Sequence, residues 1–281
     1  MSNRTWLYTG ASALCIFAIG CGEMAAPALS PAESNRVESA APTLTGRIVY
    51  TLSGRLRVYD VATKADVDLG VSGIQPKFSP NGALIVYQSS GVRVMNADGT
   101  GSRLVSPTGG VPSFDPTSTL VAFGGDDGIW QVKVDGTGLT QLAATGRKPT
   151  WSPDGSQIAY HAPVNGVEQL FVMNADGTNQ RRVLTSAAIL DPVWLPSARI
   201  VFAMLAGRSN YEIYSFDPAS SVLTRLTARK GNDFEPSWSP DGSGIAWAST
   251  ASPAGIYIMN ADGTGLHGPV IKKGRQGSWG P

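Results

Sequence analysis

Short apolar runs recur along most of this 281-residue chain, each only a few residues long and each soon stopped by a turn signal. Leu84-Ile85-Val86-Tyr87 and Ile158-Ala159-Tyr160 are typical, and Gly, Pro, Asp or Asn follows within a few positions. Runs of this length bounded by such residues read as strands, because a helix needs a longer periodic stretch to bury one face. With a turn every 8 to 12 residues, there is no room for the helices of a βαβ unit, and the prediction is an all-β array.

The runs belong to an internal repeat. A Pro-x-aromatic step occurs at Pro76-Lys77-Phe78, Pro112-Ser113-Phe114, Pro149-Thr150-Trp151, Pro192-Val193-Trp194 and Pro236-Ser237-Trp238. A sixth, Gly277-Ser278-Trp279, keeps the aromatic without the proline, and the spacings are 36, 37, 43, 44 and 41 residues. Each aromatic is followed by a turn such as Ser79-Pro80-Asn81-Gly82, Ser152-Pro153-Asp154-Gly155 or Ser239-Pro240-Asp241-Gly242. Pro presets the first central position of such a turn, Asn or Asp suits the second, and Gly supplies the left-handed residue. Asp115-Pro116-Thr117-Ser118 and Leu195-Pro196-Ser197-Ala198 lack that glycine. A second aromatic comes nine residues after the first in four repeats (Tyr87, Phe123, Tyr160, Trp247) and eight after in one (Phe202). A third strand then runs into Asn96-Ala97-Asp98-Gly99-Thr100 or its copies at 174–178 and 260–264, and a brief fourth strand ends the unit.

A unit of about forty residues with four short strands is one propeller blade. Five complete blades fit between Gln75 and Lys272; three strands within residues 47–69 lack an innermost partner, and residues 276–279 form an innermost strand with nothing after it. One plus three gives a sixth blade that closes the circle and removes open edges.

The Trp-Ser-Pro-Asp-Gly and Asn-Ala-Asp-Gly-Thr turns, repeated in this order over residues 46–281, resemble those of the TolB-like β-propeller family. That resemblance implies a six-bladed propeller and, for function, noncatalytic binding of a protein or peptide in the bacterial cell envelope. TolB-type proteins place an α/β domain ahead of the propeller, and residues 22–45 are too short to form one.

Composition sharpens this picture in two ways. Charged residues make up 15% of the chain, against ~25% in an ordinary soluble domain, as expected where blades pack face to face. The net charge of +1, with no basic block, leaves no electrostatic footprint for nucleic acid. At the N-terminus, Arg4 precedes an apolar run over residues 6–19 that is too short for a stable span and reads as an export signal. It ends in Ala18-Ile19-Gly20-Cys21, which resembles the bacterial lipobox and implies cleavage before Cys21 and lipidation of its sulfur. Cys15 would leave with the signal, so no disulfide is expected. The expected organisation is a signal at 1–20, a lipidated Cys21 with an Ala/Pro/Ser-rich tether to 45, and a monomeric propeller over 46–281 on the periplasmic side.

In a four-stranded meander the Ser-Pro-Asp-Gly and Asn-Ala-Asp-Gly turns share one rim, and they are nearly uniform. The opposite rim varies (51–54, 88–91, 124–128, 161–168, 203–210 and 248–254), and loops free to differ are where specificity resides. Residues just before the innermost strands are expected near the channel mouth: Gln75, Arg147, Lys148, Asp191, Asp233, Glu235 and Arg275. They could hold a polar ligand or a peptide terminus, or simply pair with one another. Asp98, Asp176 and Asp262 have the chemistry of calcium ligands, but their turn positions favour bonding to the turn backbone. The repeated aromatics read as core.

Catalysis is not expected. Peptidases with a similar propeller carry a Gly-x-Ser-x-Gly hydrolase domain, for which this chain has neither motif nor length. Propeller lyases use a histidine cluster, and only His161 and His267 are present. Asp191 and Glu235 are the one carboxylate pair available for acid/base work. No cofactor or metal is expected. A small-molecule or glycan binder at the channel mouth is the alternative to a protein or peptide binder, with a lyase or hydrolase third.

Overall fold

The computed structural model describes residues 45–281, except 186 and 208. The expected signal, the lipidation site Cys21 and nearly all of the tether lie outside the described residues. Twenty-four strands form six four-stranded antiparallel sheets, and no helix occurs among the described residues. The innermost strands are β4 (Ile74–Phe78), β8 (Gly110–Phe114), β12 (Arg147–Trp151), β16 (Ile189–Trp194), β20 (Asp233–Trp238) and β24 (Arg275–Gly280). Each packs against the next, and β24 packs against both β20 and β4, so the ring is closed. Blade 1 is built from β1 (Arg47–Leu52), β2 (Arg55–Asp60) and β3 (Asp66–Ser72) with β24 on the inside. The expected one-plus-three closure is therefore present, with Ile48 opposite Trp279 and Val49 opposite Ser278. The Trp279 indole N–H donates to the Thr45 carbonyl at 2.9 Å, and Arg47 Nε donates to the Pro281 carbonyl at 2.7 Å.

The aromatics fill the wedges between blades. Tyr50, Tyr87, Phe123, Tyr160, Phe202 and Trp247 are all buried on the second strands, and each belongs to a cluster drawn from two neighbouring blades. Burying a side chain of this size contributes roughly 1.5–3 kcal/mol. Six apolar wedges leave little room for charge, which accounts for the low charged fraction.

The nine-residue spacing between aromatics has a geometric cause. Every innermost strand carries a bulge, so two residues stand opposite one on the neighbouring strand. Gln75-Pro76 faces Tyr87, Val111-Pro112 faces Phe123, and Lys148-Pro149 faces Tyr160. In the same way Asp191-Pro192 faces Phe202, Glu235-Pro236 faces Trp247, and Gln276-Gly277 faces Tyr50. A bulged second residue has no ladder partner for an N–H, and proline has no N–H to lose. The eight-residue exception arises at a tighter turn: the Leu195 amide reaches the carbonyl of Arg199, four residues on, whereas Ser79 reaches Leu84, five on. The two turns without glycine still place a left-handed residue at the corner, Ser118 at φ 62° and Ala198 at φ 60°.

Candidate functional site

The first residue of each bulge has positive φ: Gln75 54°, Val111 50°, Lys148 52°, Asp191 56°, Glu235 54° and Gln276 57°. None is glycine, and each such conformation costs on the order of 1–3 kcal/mol. Strain repeated six times at equivalent positions is maintained by the closed ring and sets these residues around the channel. With the residues that follow them they line a cavity of about 40 Å³, enough for only a few waters.

Hydrogen bonds pass from blade to blade around part of this ring. Lys148 Nζ donates to Asp191 Oδ1, and the Glu235 amide donates to Asp191 Oδ2 at 3.1 Å. The Gln276 amide donates to Glu235 Oε2 at 2.9 Å, and the Gln75 amide donates to Gln276 Oε1 at 3.0 Å. Three successive side chains thus accept the backbone N–H of the next ring residue. The pattern stops at Gln75, whose Oε1 is buried without a partner, and the next ring residue, Val111, has no polar side chain to accept an amide in its turn.

Of the seven residues expected at the mouth, four are in the ring: Gln75, Lys148, Asp191 and Glu235. The structure places the other three elsewhere. Arg147 and Arg275 each precede a ring residue, are exposed and do not line the cavity, because adjacent strand residues face opposite ways. Asp233 is fully buried, away from the cavity lining. Val111, Gln276 and Lys77 line the channel and were missed. Gln276 lacks the proline that marks its equivalents, and Val111 is apolar. Lys77 follows its proline where the other blades have Ser113, Thr150, Val193, Ser237 and Ser278. That departure from the repeat was a readable signal.

The channel charges act on one another. Burial works against the Asp191 carboxylate, yet the Lys148 ammonium outweighs it and holds the group below the usual carboxylate range. Glu235 is pushed up, first by burial and then by Asp191, with Lys148 and the Gln276 amide offsetting only part. Burial, reinforced by Lys148, pushes Lys77 down. Asp191 and Glu235 each accept the backbone amide of the next ring residue, so both carboxyls help fasten neighbouring blades.

The remaining candidates have local roles. Asp98, Asp176 and Asp262 each accept a backbone N–H at 2.8–2.9 Å and a hydroxyl at 2.6–2.7 Å from the threonine two residues on. His161 is buried with Nδ1 3.0 Å from Glu168 Oε2, whereas His267 is exposed in another blade. Among the described residues, no three His, Cys, Asp or Glu side chains are grouped to hold a metal. Trp130, outside the repeat positions, bonds Asp127 through its indole N–H at 2.8 Å and packs on the wedge between blades 2 and 3.

No protein-family model matches the chain. It is similar to the Tol-Pal system protein TolB of Francisella tularensis, at 37% identity over 98 residues, covering 33% of this chain and 22% of that protein. TolB of Anaeromyxobacter dehalogenans is 35% identical over 104 residues, covering 36% and 23%. The match thus spans less than a quarter of these curated relatives. The crystal structure of TolB from Acinetobacter baumannii superposes with a TM-score of 0.73 at 18% identity, over 84% of this chain and 67% of that one. The chain carries a TolB-like six-bladed β-propeller. At the level of fold alone, the TolB-like propeller is also similar to an oligogalacturonate lyase (TM-score 0.55, 18% identity) and a puromycin hydrolase (TM-score 0.53, 16% identity).

Proposed function

We propose that this TolB-like propeller is a noncatalytic component of the bacterial cell envelope, tethered through Cys21, that binds a protein or peptide partner with its variable rim and channel mouth. The observation that carries the reading is the contrast between the two rims. On one, the turns are closed by their own side chains: Ser79, Ser152 and Ser239 each bond Asn81, Asp154 or Asp241 at 2.6–2.7 Å. Such turns serve the scaffold. On the other, the connections differ from blade to blade and surround the strained ring, leaving specificity to them.

Two further features support it. The propeller's first described residues lie on the uniform rim, where Gly46 meets Pro240, on the side away from the variable connections. A channel of about 40 Å³ is also far smaller than the roughly 300–1,000 Å³ of ordinary small-molecule pockets, which favours a partner resting on the rim over a glycan inside it.

The test is a pull-down from envelope extracts with the 161–168 and 203–210 hairpins shortened to the 88–91 type. The reading expects loss of the captured partner with the melting temperature retained. Capture at the wild-type level would count against a loop-mediated interface.

A further inference from the structure

Asp233 departs from the repeat in a way the ring does not explain. It stands two residues before Glu235, where four blades carry Gly73, Gly109, Gly146 and Gly274 and one carries Ile189. In those four blades a Cβ would come within 2.4–3.0 Å of the aromatic behind the bulge, so the position normally has no side chain. Asp233 is fully buried there, and neither carboxyl oxygen has a hydrogen-bond partner of good geometry. Ser249, Thr227 and Trp247 stand around it and favour its charge somewhat, but burial dominates and pushes the carboxyl up, with Glu212 adding to the rise.

Glu212, in β18 (Asn210–Asp217), is a second departure. It pairs with Met204, two residues beyond the blade aromatic, where Gly128 and Gly255 stand in their own blades. It too is fully buried, but it is well held. Asn210 Nδ2 donates to it at 2.5 Å, Thr227 Oγ1 at 2.6 Å, the Arg229 amide at 3.1 Å and the Arg225 guanidinium at 3.2 Å.

The junction between blades 5 and 6 therefore contains two buried carboxyls and two guanidiniums, of which Arg225 pairs with Glu212 and Arg229, among the described residues, does not pair with a carboxyl. From the elements packed against β20, β18 brings Glu212, and β21 (Gly244–Ser249) brings the neutral Trp247 and Ser249. The strand β16 brings Asp191, which is committed to Lys148, β24 brings the exposed Arg275, and β17 (Ile200–Ala206) brings no charged residue. Arg225 is engaged by Glu212, and the Arg229 guanidinium lies over Tyr257, 4.3 Å from the ring centre. None of these cations bonds the Asp233 carboxyl, both of whose oxygens are buried without a hydrogen-bond partner of good geometry. A second carboxylate buried and unpaired would cost several kcal/mol, and such a group instead keeps its proton.

We propose that Asp233 is a proton-binding site that holds the junction closed as a neutral acid, and that loss of its proton to solvent frees the connection 226–232 on the variable rim. The connection depends on the groups a second charge would disturb. Glu212 holds Thr227 and the Arg229 amide, Asn210 Nδ2 holds the Arg229 carbonyl at 2.9 Å, and Asn232 accepts the Tyr211 amide at 2.9 Å. Repulsion between two carboxylates is relieved when this segment lifts and water enters. The segment leads directly into the strand bearing Glu235, so the device regulates the face read above as the binding surface. It rests on that reading for its purpose, though not for its chemistry.

The sign follows from linkage. A carboxyl raised above its ordinary value of 3.8 gives stability that is complete below that value and is lost as pH rises towards the folded value. Local opening should therefore increase up to about tenfold per pH unit in that window and then level off.

The experiment is hydrogen exchange of 226–232 across pH, corrected for intrinsic rates, on the full chain and on D233N, with infrared detection of protonated carboxyls. Wild type should show the pH-dependent loss of protection, and D233N should not. The infrared band of a protonated acid should survive in E235Q, which removes the other carboxyl whose pKa is raised, and should disappear in D233N/E235Q. Flat wild-type protection, or a pH step retained in D233N, would overturn the proposal. Should D233N fail to fold, absence of the band from E235Q at pH values above 3.8 at which 226–232 is still fully protected would do so. No partner is needed, so a failed pull-down leaves this result standing.

Discussion

The Glu235 backbone amide donates to the Asp191 carboxylate of the neighbouring blade at 3.1 Å. This bond is possible because positive φ at Glu235 accompanies a bulge that takes its amide out of the sheet ladder. Asp191 also receives the Lys148 ammonium from the blade on its other side. One carboxylate consequently fastens three blades at the channel.

Removing Asp191 should therefore be costly. D191A leaves a largely buried ammonium and the Glu235 amide without their acceptor, and a loss of about 3–5 kcal/mol is expected. The double variant K148M/D191N should lose less than the sum of the single variants, as measured by denaturant midpoints in a double-mutant cycle.

The same pair predicts an acid limit. Asp191 is held below its ordinary value, so its contribution is present above the unfolded carboxyl pKa and is lost as pH falls through the lower folded value. Wild type should lose stability on acidification in this range more steeply than K148M/D191N, as thermal melts at successive pH values would show.

The glycines before the bulge predict a steric effect. A Cβ at Gly146 would lie 2.5 Å from the Tyr160 ring, and φ is +113°. G146A should be destabilised by about 1–3 kcal/mol from overpacking, with additional backbone strain. Pairing it with Y160L, which removes the ring, should recover part of the loss in the unfolding midpoint.

Closure makes its own prediction. Trp279 is buried, its amide donates to Ser237 of blade 6 at 3.0 Å, and its indole reaches Thr45 of blade 1. W279A should cost about 3–5 kcal/mol. Deleting residues 274–281 should broaden thermal unfolding across the whole ring, whereas an unchanged melting temperature would show that closure is dispensable.

The ring was legible in the sequence because its prolines and aromatics recur, and the scaffold turns because Pro, Asp and Gly each have a definite turn role. Less visible was the bulge, since proline alone does not disclose the positive φ of the residue before it. This is why Arg147 and Arg275, one position away, read as channel residues alongside Lys148. Asp233 was misplaced for a different reason. Its burial becomes clear only when it is aligned with the glycines of other blades, an alignment fixed by register rather than by motif. Lys77 stood out within its repeat column all along, the single charge among small residues.

Partner binding at the variable rim can be tested in place. Photo-crosslinking groups placed in the native envelope at exposed Ser90 and Asn165 on that rim, and at exposed Asn81 and Asp241 on the other, test it most directly. A discrete crosslinked partner is expected from Ser90 or Asn165 and none from Asn81 or Asp241. A partner captured only from Asn81 and Asp241 would contradict it.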